Sequence, residues 1–310
     1  MKYFVLLSVV SAIAVSHSAT AGTVSDYFAN QTVPDKRYSV SVGWLHANPT
    51  GDANALQNST VINDGSSSGV LTDITGLQNW QSPNTGLEAD DVDTAGLIFK
   101  YAATDNIKFE IKGGVPPRVD ILGKGTVFAP ISASLGDDVI ANDLPISDLT
   151  QGNGIAASAR AWLPVVEAQY HFGKSGVDKL RPYVGFGFMY AYFNDFELND
   201  GIRNDLEIAG QRVQQLKANN PFVAIGELVA DGSTEVDVDS SSDFAPIITV
   251  GANYDINDEW FVVGSLSYAQ LNSDTTIKIK DKQTNETLIT AKTKTDIDPF
   301  ITYLGLGYRF

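Results

Sequence analysis

The feature that most constrains this chain is a period-two alternation of apolar residues that recurs in eight separate segments. It is cleanest in the last twelve residues, PFITYLGLGYRF. One face there carries Phe300, Leu304, Leu306, Tyr308 and Phe310, and the other carries Tyr303, Gly305, Gly307 and Arg309. Alternation of this kind describes a strand with one apolar face and one small or mixed face. Earlier segments repeat it at about 38–46, 93–103, 107–112, 160–172, 181–193, 244–256 and 260–279.

The connections alternate as well. Short turns (Thr104 to Asn106, Gly173 to Leu180, Asn257 to Glu259) follow the second, fourth and sixth segments. Long polar stretches without a sustained period follow the first, third and fifth, at about 47–90, 119–158 and 194–242, and read as loops. The last of these holds a helical pattern near 205–217. A polar turn at about 281–286 leads to the closing strand. An even strand number with short turns at one end and long loops at the other predicts an all-β, eight-stranded antiparallel transmembrane β-barrel with long extracellular loops. A soluble lipocalin-like barrel would turn its apolar face inward and carry smaller loops.

The N-terminus agrees with export. Met1-Lys2, the apolar run from Tyr3 to Val15 and the small residues Ala19-Thr20-Ala21 predict a signal peptide over residues 1–21, cleaved between Ala21 and Gly22. Residues 22–310 then form one outer-membrane barrel domain. No later stretch reaches the roughly eighteen apolar residues of a membrane helix, so insertion would use strands. The net charge of −16 argues against a nucleic-acid partner. Many acids lie between strands, among them Asp137, Asp138, Asp231, Glu235, Asp237 and Asp239, where they read as solvated loop residues.

With the closing strand as reference, a single even-numbered lipid face is expected to run through the barrel. The three-residue turn at Thr104 to Asn106 should set Lys100 directly opposite Glu110. The lumen near the turn end is then expected to receive Arg37, Lys100, Lys108, Glu110, Lys112, Glu167, His171 and Arg309. A barrel of eight strands is only wide enough for side chains to fill, so these charges are expected to pair and plug it. A narrow water-filled pore is the alternative. Pro116 and Pro117 late in the third strand, and Pro164 early in the fourth, remove ladder donors from neighbouring strands. They mark a candidate lateral portal, against the plainer reading of strand ends fading into loops.

The segments YAATDNIKFEIKGGVPPRVDILGKG, LPVVEAQYHFG, RPYVGFGFMYAYF, NYDINDEWFVVGSLSY and LGLGYRF together resemble the OmpW family of outer-membrane proteins, which includes AlkL-type alkane-uptake proteins. The resemblance runs from about residue 93 to the C-terminus; the first strand matches loosely, and the stretches at 47–90 and 194–242 look expanded. It implies a barrel reaching beyond the outer leaflet, an apolar upper channel, and lateral exit of small hydrophobic molecules above a blocked lumen. The terminal aromatics Tyr308 and Phe310 also resemble the barrel-closing signal read by the barrel-assembly machinery.

No enzyme is expected. Beyond the signal segment only His46 and His171 remain, and no nucleophile–base–acid constellation can be assembled around either. The absence of cysteine and the separation of the histidines argue against zinc, no EF-hand spacing occurs, and no cofactor is expected. The functional expectation is passive uptake of small hydrophobic molecules in the outer membrane, with membrane lipid as the surroundings. The alternative is a structural or receptor barrel acting through its acidic loops.

Overall fold

A computed structural model describes residues 34–310; the expected signal segment and its Ala21–Gly22 junction lie outside the described residues. Eight strands form a closed antiparallel barrel: β1 (Tyr38–Asn48), β2 (Val92–Ala102), β3 (Ile107–Gly114), β4 (Val165–His171), β5 (Leu180–Leu198), β6 (Asp243–Asp255), β7 (Trp260–Ala269) and β8 (Phe300–Arg309). Each pairs with its neighbour in the chain, and β8 closes on β1 with Val42 opposite Leu306. Closure satisfies the backbone without leaving an edge, which a strand protein in lipid requires.

The outer surface is a belt of exposed apolar side chains, including Val42, Leu97, Phe109, Val166, Phe186, Val250 and Leu304. Aromatic clusters bound it. At the end of the short turns Tyr38 packs on Tyr101 and Phe310, Tyr170 on Phe172, and Trp260 on Tyr308. At the other end Tyr190 packs on Phe244 and Tyr268 on Phe300. Amphipathic rings collect at the two interfaces of a bilayer in this way.

The uniform even parity does not hold. In β2 and β3 the outward residues are odd-numbered (Leu97, Phe99, Phe109, Ile111), while the other six strands face outward with even ones. Tight hairpins carry phase from strand to strand, because their pairings fix the register. Lys100 therefore does stand opposite Glu110 across the β2–β3 hairpin. The long excursions before β2 and after β3 impose no such link, and the phase changes across each.

Two expected strands are also interrupted. The fourth divides at Leu163-Pro164 into a strand at Ile155–Trp162 and β4. The seventh divides at Gln270-Leu271 into β7 and a strand at Asn272–Asp281 that joins a different sheet.

The stretches read as loops are largely strands. One four-stranded sheet is built from Ser66–Ser68, Leu71–Thr75, Thr126–Leu135 and Asp138–Asp148. A five-stranded sheet takes Leu56–Thr60, Asn79–Ser82, Thr234–Ser240, Asn272–Asp281 and Thr287–Asp296. Gly86–Ala89, Arg118–Lys124 and Ile155–Trp162 extend the barrel wall beside the upper half of β5.

The expected helix is longer than its pattern: α1 spans Asp200–Lys217, capped where the Asn199 side chain accepts the Gly201 N–H at 2.9 Å. Its Ala209, Val213 and Leu216 pack with Ile279, Leu288 and Ile289 of the five-stranded sheet, giving the extension its own core. Among the described residues no helix is long and apolar enough to cross a membrane.

Candidate functional site

The inward positions of β2, β3 and β4 carry the charges that the sequence singles out, and the barrel brings most of them into one layer. Lys100 Nζ lies 2.8 Å from Glu110 Oε2, with both side chains almost wholly buried. Lys112 Nζ bridges Glu110 at 3.4 Å and Glu167 at 3.8 Å. Gln169 joins them: its amide N–H₂ donates to Glu110 at 2.8 Å and Glu167 at 3.2 Å, and its carbonyl oxygen accepts from Lys100 at 3.1 Å. Glu167 also accepts from Thr249, whose hydroxyl meets Ser267 at 2.7 Å. His171 Nε2 lies 3.1 Å from the Gln169 carbonyl oxygen, and the imidazole stacks on Tyr183 at 4.6 Å. Each carboxylate thus has both a cation and neutral donors, as charge in a dry space demands.

Closer to the short turns, Arg309 pairs with Asp255 and lies over the Phe261 ring at 4.5 Å. Arg181 pairs with Asp105 at 3.3 Å and donates to the Asp105 carbonyl at 2.7 Å. Lys108 is buried at the same level. Arg37 does not belong to the layer. It precedes β1, is exposed on the rim and donates to the Tyr101 hydroxyl at 3.2 Å. It lies before the first paired residue of the strand, where the inward direction is no longer defined.

Sequence reasoning missed Arg181, Asp255 and Asp105, and passed over Gln169. The odd parity of β5 and β6 already points Arg181 and Asp255 inward, so their signal was present. Asp105 sits in a turn, where parity gives no direction.

Three rings complete the filling. Tyr183, Phe261 and Tyr303 are buried in the lumen with Ile98 and Val263. Glycines make room for them: a Cβ at Gly307, on the strand next to Phe261, would stand 2.2 Å from Phe261 Cζ, and one at Gly305, two residues beyond Tyr303 on β8, would stand 2.4 Å from the Tyr303 hydroxyl. The lower barrel is therefore a packed floor rather than an open pore.

Above the floor the lumen turns apolar. Met189, Ala191, Ala245, Ile247, Ala269, Leu271 and Ile301 form a buried layer with Ala47, Val165 and Ile297. Beside it the wall opens. The β3–β4 ladder ends at the pair Lys112–Val165, and the two chains next meet where the Ala161 N–H donates to the Pro117 carbonyl at 3.0 Å. Between those points lies a cavity of about 250 Å³ lined by Val115, Pro116, Pro117, Trp162, Leu163 and Pro164 on the wall. Leu45, Ala47, Val92, Val165 and Ile301 line its inner side, and Lys112 its base.

The prolines that interrupt the sequence pattern thus border one gap. Further up, two more apolar cavities sit within the extension. One is lined by Ala89, Val119, Phe193 and Ile297, and the other by Leu56, Leu87, Ile121, Phe196 and Ile202. The apolar layer stands between them and the wall cavity.

His46, at the outer end of β1, shares Asp93 with Trp44, at 3.0 and 2.7 Å. Tyr308 and Phe310 lie on the outer surface within the aromatic clusters of the turn end. Among the described residues no group of histidine and carboxylate side chains is arranged to hold a metal ion.

A closed barrel of eight antiparallel strands, belted with apolar side chains, bounded by aromatics and filled with paired charge, is a bacterial outer-membrane β-barrel. A sequence profile described as the OmpW family matches residues 223–310. The chain is 26% identical over 225 residues to outer membrane protein W of Salmonella typhimurium, covering 73% of this chain and 76% of that one. It is 22% identical to outer membrane protein AlkL of Ectopseudomonas oleovorans, covering 74% of this chain and 70% of that one. The chain is similar in sequence to the OmpW and AlkL outer-membrane proteins. The crystal structure of OprG from Pseudomonas aeruginosa shares the fold, with a TM-score of 0.57 at 16% identity over 90% of this chain and 98% of that one.

Proposed function

We propose that the protein gives small hydrophobic molecules a passive route across the polar outer face of the membrane, without catalysis or energy input. They enter the apolar cavities of the extracellular extension, cross the apolar layer, and leave sideways between β3 and β4 into the bilayer. The observation that carries this reading is the wall gap beyond Lys112 and Val165, an apolar cavity standing directly on a charged floor. An apolar solute finds no favourable way down through that floor, whereas burial against Val115, Trp162 and the hydrocarbon beyond is favourable. Passage needs the apolar layer to part, since its residues fill the lumen at that level.

The same filled lumen is what a purely structural or receptor barrel would have, and one experiment separates the readings. Transfer of a fluorescent apolar tracer into vesicles with a lipopolysaccharide outer leaflet is measured with and without the purified protein. Faster arrival with the protein supports passage; equal rates leave the structural reading.

A further inference from the structure

The periplasmic mouth of the lumen holds a small cavity that the proposed passage does not use. It measures about 20 Å³, and its lining includes six cationic side chains and one carboxylate, Asp105. Four of the cations are already matched: Lys36 to Glu259 at 2.9 Å, Lys100 to Glu110 at 2.8 Å, Arg181 to Asp105 at 3.3 Å, and Arg309 to Asp255. Arg37 lies exposed on the rim. Lys108 is different. It is only 8% exposed, and among the described residues it has no ion pair or hydrogen bond.

The charge count of the lumen says the same. When Lys108 is protonated, Lys100, Lys108, Lys112, Arg181 and Arg309 face Asp105, Glu110, Glu167 and Asp255, which leaves one positive charge over. An ammonium group without a partner in a space walled by protein is costly, and the cations around it raise the local potential further.

We propose that this cavity binds one small inorganic anion of chloride size, held by Lys108 Nζ at the periplasmic mouth. The volume is about one to two times what a single water needs, so a halide fits and a bulky organic anion does not. The bound anion would balance the floor and tie the mouth together from β3 to β5 and β8. This inference does not depend on the proposed passage, because it concerns the far side of the floor.

Equilibrium unfolding in urea from phosphatidylcholine vesicles tests it, with sodium chloride exchanged for sodium gluconate at constant ionic strength. The wild-type protein should gain stability saturably with chloride, the folded-to-unfolded ratio rising about elevenfold at ten times the dissociation constant. Lys108→Gln should abolish the gain, and Lys174→Gln, at an exposed turn lysine, should keep it. A wild-type protein indifferent to the anion, or a Lys108→Gln protein with the full gain, overturns the proposal. Should Lys108→Gln not fold, wild-type crystals grown in bromide give a second readout. An anomalous peak in contact with Lys108 Nζ supports the site, and its absence at saturating bromide overturns it.

Discussion

Lys100 on β2 and Glu110 on β3 stand directly opposite each other, and their charged atoms meet at 2.8 Å in the buried floor of the barrel. Removing one partner strands the other. Glu110→Gln leaves Lys100 and Lys112 short of a counter-charge, and a cost of about 3–5 kcal/mol is expected. Unfolding in urea from lipid vesicles measures it. In a double-mutant cycle with Lys100→Met the two losses should fall short of additive by about 0.5–3 kcal/mol; additivity would mean that the pair is not coupled.

The floor should also be tight to ions. Planar-bilayer recording of the wild-type protein is expected to show no steady, sizeable current. The triple change Tyr183→Ala, Phe261→Ala and Tyr303→Ala removes the rings that fill the lumen and should open a measurable conductance. Steady currents from the wild type would contradict a packed floor.

Ring and glycine are matched across strands, so a methyl group is not neutral. Gly307→Ala drives a Cβ into Phe261, whose Cζ would stand 2.2 Å away, and should destabilise the barrel by about 1–3 kcal/mol. Phe261→Leu in the same chain should recover part of that loss. No recovery would show that the strain lies in the backbone instead.

The anchoring of α1 should weaken in acid. Asp281 accepts the Thr284 backbone N–H at 2.9 Å and the Gln214 side chain at 2.7 Å, which hold its carboxyl below the usual aspartate range. Asp231 is lowered too, chiefly by the Ser233 hydroxyl and N–H and also by Gln211 on α1. A depressed carboxyl stabilises the fold above its ordinary value, and that stability is lost as pH falls through the depressed value. Hydrogen exchange in α1, corrected for intrinsic rates, should therefore accelerate below the ordinary aspartate range while β1 and β8 stay protected. Equal protection of helix and barrel would contradict this.

Much of the barrel is legible in the sequence because bilayer and pleat write the same signal. Apolar alternation marks every barrel strand, and a three-residue turn is enough to set Lys100 against Glu110. The extension is not legible for a physical reason. Leu56–Thr60 pairs with a strand beginning at Thr287, so its order comes from a partner more than two hundred residues away, not from local periodicity. Its residues are Leu, Gln, Asn, Ser and Thr, which read locally as loop. The prolines at 116, 117 and 164 are legible as interruptions of two neighbouring strands and as a candidate portal, but the inner lining of the cavity behind them, from Leu45, Ala47 and Ile301, is not. That needed the third dimension. Parity misled across two of the long excursions, between β1 and β2 and between β3 and β4, and held across the one between β5 and β6.

The central claim is lateral passage through the gap between β3 and β4, and filling that gap tests it most directly. A Cβ at Gly113 would meet nothing within 4 Å on the outward face of β3, and Gly113 lines the wall cavity, so Gly113→Phe should fold and lay a ring across the outer mouth of the opening. The measurement is apolar tracer transfer into lipopolysaccharide-faced vesicles carrying equal amounts of folded wild-type or Gly113→Phe protein. The account predicts transfer at the protein-free rate for Gly113→Phe and clearly faster transfer for the wild type. Equal, protein-accelerated transfer by both would contradict it.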